Sequence, residues 1–82
     1  MGFFIEGLFI AAEERFKDGK PDGWTVAIAT GVESYKVKVD DGLFSSAGLG
    51  GYALADRVRV CVKLRSFRDT IYFNAVSFEQ MA

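Results

Sequence analysis

Apolar and polar residues alternate with a period of two along most of the chain, the repeat of a strand with one face buried. The cleanest run is Arg57–Arg65. Val58, Val60, Val62 and Leu64 fall on one side of it, and Arg57, Arg59, Cys61, Lys63 and Arg65 on the other. A second run puts Tyr35, Val37 and Val39 on one face and Lys36, Lys38 and Asp40 on the other. Helical periodicity is absent over any length that would bury a helix face. The pattern predicts an all-β chain.

Five strands follow from the breaks in this pattern. "FFIEGLFIAA" is a Phe- and Ile-rich strand with Gly7 in its middle, where a strand bulges or bends sharply. The polar segment Glu13–Gly23, punctuated by Asp-Gly, Lys-Pro and Asp-Gly, predicts a long hairpin loop. "WTVAIA" and "SYKVKV", joined by "TGVE", predict a hairpin. Residues 41–56 contain glycines 42, 48, 50 and 51, each costing about 1 kcal/mol in a helix. This stretch therefore reads as a loop with at most a short helical turn, capping the core through Leu43, Phe44, Leu49 and Tyr52. "RVRVCVKLR", a turn at "SFRD" and "TIYFNAVSFE" make the last two strands.

A long glycine-bent strand, a hairpin, a capping connection and a closing hairpin, in that order, resemble a five-stranded OB-like Greek-key barrel over nearly the whole chain. An SH3-like barrel is the alternative arrangement of five short strands. Within the OB group the chain is similar to compact single-stranded-DNA-binding proteins of phages and mobile elements. One departure is the glycine-rich segment where a longer helix is usual. The resemblance implies a ligand face on strands two and three, flanked by the first–second and fourth–fifth connections. On this chain those regions are 13–23, 24–39 and 65–70.

Composition narrows the function classes. Eighty-two residues predict one small domain spanning 1–82. With half its residues hydrophobic, the chain is expected to fold rather than remain disordered. A core this small gains from added buried surface, so a homodimer or higher homo-oligomer is expected. Without histidine, and with Cys61 as the one cysteine, no common transition-metal site is expected, nor any cofactor. A single thiol forms no internal disulfide, which favours a reducing, cytoplasmic setting. The opening "MGFFIEGLFIAAEE" is short, interrupted by Glu6 and lacks a basic leader. Neither a signal peptide nor a membrane partner is expected. Adjacent acids at Glu13-Glu14 and Asp40-Asp41 face opposite ways on a strand, and "GLGG" lacks the context of a phosphate loop, so enzymatic activity is not expected.

Net charge is −1, but it is unevenly spread. Arg57, Arg59, Lys63, Arg65 and Arg68 stand in a stretch free of acids. Two predicted connections interleave cations with an aromatic residue: Arg15-Phe16-Lys17 with Lys20 behind it, and Arg65 and Arg68 around Phe67. An exposed phenylalanine between cations suits an unpaired base, stacking on it while the cations meet phosphates, at roughly 1–3 kcal/mol per base. Alternatively each phenylalanine folds back to plug a barrel end. Lys36 and Lys38 either meet ligand or are solvated lysines that discourage edge pairing. Trp24 is a stacking platform or a core residue. Tyr72, out of phase with Ile71 and Phe73, is a second candidate platform. Arg57, Arg59 and Lys63 extend a basic track, pair with Glu6 or Glu79, or line an interface.

These residues favour a sequence-tolerant binder of single-stranded DNA or RNA. A pI near 5.3 argues against strong duplex binding, where a basic domain is the rule. The competing class is a protein-binding or self-assembly module with no nucleic-acid role. Exposure of Phe16, Phe67 and Tyr72 discriminates between them.

Overall fold

In a computed structural model that describes residues 2–81, five strands close into one ring. They are β1 (Gly2–Lys17), β2 (Lys20–Thr30), β3 (Glu33–Val39), β4 (Arg57–Phe67) and β5 (Thr70–Gln80). Ring order is β1-β2-β3-β5-β4 and back to β1. Every seam is antiparallel except β3–β5, which run parallel through Val37↔Phe73 and Lys38↔Asn74. A three-strand meander whose last strand meets the far member of a second hairpin is the Greek-key order of an OB-like barrel.

β1 has two partners because it is long and bent. Its first half pairs with β4 and its second half with β2, the changeover falling at Leu8, which pairs with both Arg57 and Ala29. Gly7 sits at the bend, where a Cβ would overlap the Ala29 carbonyl oxygen. The expected mid-strand glycine is thus a site of close backbone approach. The register shift between Phe9 and Ala11 makes Ile10 a bulge residue that tightens the curvature.

Alternation then fills the interior. Ile5, Phe9, Val26, Ile28, Val37, Val39, Val58, Val60 and Val62 all point inward, with Leu49 from the β3–β4 connection. Aromatic residues close both ends. At one end, helix α1 (Asp41–Ser46) and a 3₁₀ turn (Leu49–Gly51) lie across the opening. Asp40 caps α1, its Oδ1 accepting from the Leu43 N–H at 2.7 Å. Phe44 stacks flat on Trp24 at 3.9 Å, and Tyr52 meets Phe9 edge-on at 5.6 Å. At the other end, Phe3 and Tyr35 each meet Phe73 edge-on. The cap is helical for one short stretch, anchored by the residues the sequence singles out.

Two expectations are corrected. Residues 13–23 are not a long loop: β1 and β2 continue as a ladder to Lys17↔Lys20, leaving a two-residue turn at Asp18–Gly19. Both turn residues have positive φ (54° and 78°), the type I′ geometry that Asp-Gly favours. Polar composition suggests a loop, but backbone ladder bonds need no core beneath them. Leu64, expected inward, is 48% exposed. β4 loses its β1 neighbour after Lys63, and Leu64, paired only with Phe73 of β5, stands where the wall gives way to the projecting β4–β5 arm. This arm turns at Arg68–Asp69, again with both φ positive (50° and 63°) but without a glycine.

Candidate functional site

The narrow β3–β5 seam sets the site. Only two residue pairs join these strands, so their outward side chains meet where the strands diverge. Lys36 and Lys38 project from β3, and Tyr72 and Asn74 from β5, since Val37, Phe73 and Ala75 are committed to the core. Register continues the row onto β4: Asn74 lies beside Lys63, and Tyr72 beside Arg65. Lys38 Nζ lies 4.1 Å from the centre of the Tyr72 ring, a cation–π contact.

Three adjoining clefts share Lys38. One, of about 290 Å³, is lined by Lys38, Arg65, Ser66, Phe67, Tyr72 and Asn74. A second, of about 400 Å³, runs between the diverging strands past Tyr35, Lys36, Ile71 and Tyr72. The third, of about 320 Å³, reaches from Lys38 and Asn74 to Arg15 at the base of the β1–β2 arm. Arg15, Lys36, Lys38, Arg65, Phe67 and Tyr72, drawn from four strands, therefore share one surface.

The remaining candidates separate from it. Phe16, Lys17 and Lys20 stand at the tip of the β1–β2 arm, outside these clefts, with Phe16 63% exposed. Lys17 directly opposes Lys20 across the ladder, a like-charge pairing that disfavours the arm. Arg68 occupies the tip of the other arm, its guanidinium 5.2 Å from the Phe67 ring. Phe67 is 61% exposed, so neither phenylalanine plugs the barrel. Trp24 has one ring face covered by Phe44 and packs on the core, which favours its core reading.

Charge balance differs around the ring. On the β1–β4 seam, Arg59 donates to Glu6 Oε1 through Nε (2.7 Å) and Nη2 (2.6 Å) and lies against the Phe4 ring. Arg15 is 3.9 Å from Asp22 and packs along Gly23, a bulge residue with φ 85°. Among the described residues, Lys36, Lys38, Lys63 and Arg65 form no ion pair. Tyr35 donates to Glu33 Oε2 at 2.8 Å, and this bond and the Glu33 charge raise its pKa above the ordinary tyrosine value. Burial, then the Asp56 charge, raises that of Tyr52.

Asn74 belongs to the surface and sequence reasoning passed over it. An asparagine two residues from Tyr72, on the polar phase of the last strand, was the signal available, since asparagine is disfavoured in strands. Lys63, left open between three roles, lies on the same row through Asn74. No family model matches this chain, and no curated protein matches it.

Proposed function

We propose that this protein binds single-stranded nucleic acid, DNA or RNA, with little sequence preference, along the outward surface that runs from Arg15 across Lys36 and Lys38 to the β4–β5 arm. The observation that carries this reading is the cleft in which Lys38, Arg65, Phe67 and Tyr72 meet. It combines two cations without carboxylate partners among the described residues, an aromatic ring 61% exposed and a tyrosine already carrying a cation on its face. Exposed stacking surfaces beside unpaired cations suit a strand whose bases are free to splay and whose phosphates are close by. Folding alone gives no reason to leave Phe67 in water. The exposed tips, with Phe16, Lys17, Lys20 and Arg68, extend the track at either end.

A second reading concerns self-association. Phe4, Leu8 and Ile10 on β1 are exposed by 62%, 40% and 40%, beside the Glu6–Arg59 pair. This apolar surface favours a second copy of the chain, and a dimer would hold two strand-binding surfaces and gain avidity on long strands. Sedimentation equilibrium of Leu8→Lys against the parent protein tests it. The dimer reading is lost if the parent is a monomer at tens of micromolar.

Backbone amide spectra test the main reading directly. Adding a short oligothymidine is expected to shift amides of residues 36–38, 65–67 and 72–74, leaving Ile5 and Arg59 unmoved. Shifts confined to residues 3–10 of β1 and their neighbours on β4 would reject it.

A further inference from the structure

We infer that the cleft between Arg15 and Asn74 reads a guanine, so that the proposed strand-binding surface holds one base-selective position. This rests on the proposed single-strand binding. Among the described residues, two that line this cleft each hold a buried side-chain nitrogen without a hydrogen-bond partner, Arg15 Nε and Asn74 Nδ2. Unmet buried donors are uncommon in folded proteins, and each costs roughly 1–3 kcal/mol. Water does not reach either nitrogen. An acceptor brought into the cleft would satisfy them once the guanidinium or carboxamide turns to meet it.

The cleft's own charges exclude a phosphate as that acceptor. Lys38 and Arg15 are set against Asp22, Asp40 and Asp41 in the same lining. A phosphate would face more carboxylates than cations. These acids do not gather into a group able to hold a metal ion among the described residues, so a bridging cation does not rescue that option. A neutral ligand offering acceptors on one edge and donors on another matches both sets. Guanine does so: O6 and N7 accept side by side, the edge most often read by arginine or lysine, while N1–H and the N2 amino group donate next to each other to a carboxylate. Adenine and cytosine present one amino group each, and thymine none. Asp40 spends Oδ1 on the α1 cap, which leaves Asp41 and Asp22, the latter 55% exposed in its side chain and 3.9 Å from Arg15, as the acceptors. About 320 Å³ is room for a purine ring system.

Labelled thymidine 12-mers carrying a single central dG, dA or dC, titrated by fluorescence anisotropy, test this. Wild type should bind the dG strand about tenfold tighter than all-dT, equivalent to roughly 1.4 kcal/mol, with dA and dC close to dT. Asn74→Ala should erase that preference, so that the dG and all-dT strands bind it alike. Because it removes a donor that has no partner, its melting temperature should hold or rise. Arg15→Lys, which retains the charge but loses Nε, should erase the preference as well. Equal affinity for the four strands by wild type overturns the guanine site while leaving single-strand binding intact. A drop in melting temperature for Asn74→Ala with the preference retained makes Asn74 structural and also overturns it. Absence of binding to every strand overturns both readings.

Discussion

The β1–β4 and β3–β5 seams are built from the same kinds of residue and end in different electrostatic states. On β1–β4, seven residue pairs bring Glu6 opposite Arg59, and the cation is spent on a two-bond contact inside the protein. On β3–β5, two pairs hold the strands, and Lys38 meets an aromatic ring instead of an acid. Register decides this. A long antiparallel ladder lets opposite charges face each other, whereas a short parallel seam splays its flanks and leaves side chains facing a cleft. Basic residues on a strand therefore say little until their cross-strand neighbours are known.

Several substitutions sharpen this contrast, starting with the strongest. Phe67→Ala and Tyr72→Ala should each weaken single-strand binding by about 5- to 150-fold, the loss of one stacked base. Phe67→Ala should leave the melting temperature unchanged, since the ring is mostly in water. If affinity holds and the protein unfolds instead, Phe67 is a structural residue.

Lys38→Met should lower affinity and reduce the slope of log K against log salt by about 0.7, the release expected for one phosphate contact on a single strand. An unchanged slope would place Lys38 off the path of the backbone. On the opposite seam, Arg59→Met should leave affinity and slope alone and cost about 0–1 kcal/mol in denaturant unfolding, because both partners are substantially exposed. Weakened DNA binding by Arg59→Met would erase the distinction between the seams.

The β4–β5 turn sharpens the contrast in another way. Arg68 and Asp69 both adopt left-handed backbone, which costs a non-glycine residue roughly 1–2 kcal/mol. Replacing them together, Arg68→Asn with Asp69→Gly, should stabilise the protein by about 1 kcal/mol while weakening binding through the lost cation. The smallest effect is on pH. Tyr35 and Tyr52 have pKa values raised above the ordinary tyrosine value, so the unfolded chain loses those protons first. Their contribution to stability is complete below about pH 10 and fades as pH rises through the folded values. Tyr52→Phe should flatten that alkaline decline in thermal melts.

Much of the barrel was legible because a period of two is a strong signal and a buried face enforces it. Val58, Val60 and Val62, and the bend at Gly7, are read directly from the chain. Leu64 was misread because alternation carries no mark where the wall stops and the arm begins. Segment 13–23 was misread because turn-forming residues occur throughout an arm that turns only at Asp18–Gly19. On the candidate surface, the outward placement of Phe67, Tyr72 and Lys38 was legible from phase and composition. Asn74 was not, since its interest lies in an unmet nitrogen that depends on packing. The Arg59–Glu6 pair was open among several options because pairing partners follow from register, and register from how β1 bends.

The central claim is tested most directly by titrating a labelled single-stranded 12-mer and a duplex of equal length at low and near-physiological salt. Preference for the single strand, with a slope of about −0.7 per phosphate contacted, is the predicted result. Equal or stronger duplex binding, or no binding at low salt, would contradict the claim and leave the β3–β5 surface to a partner of another kind.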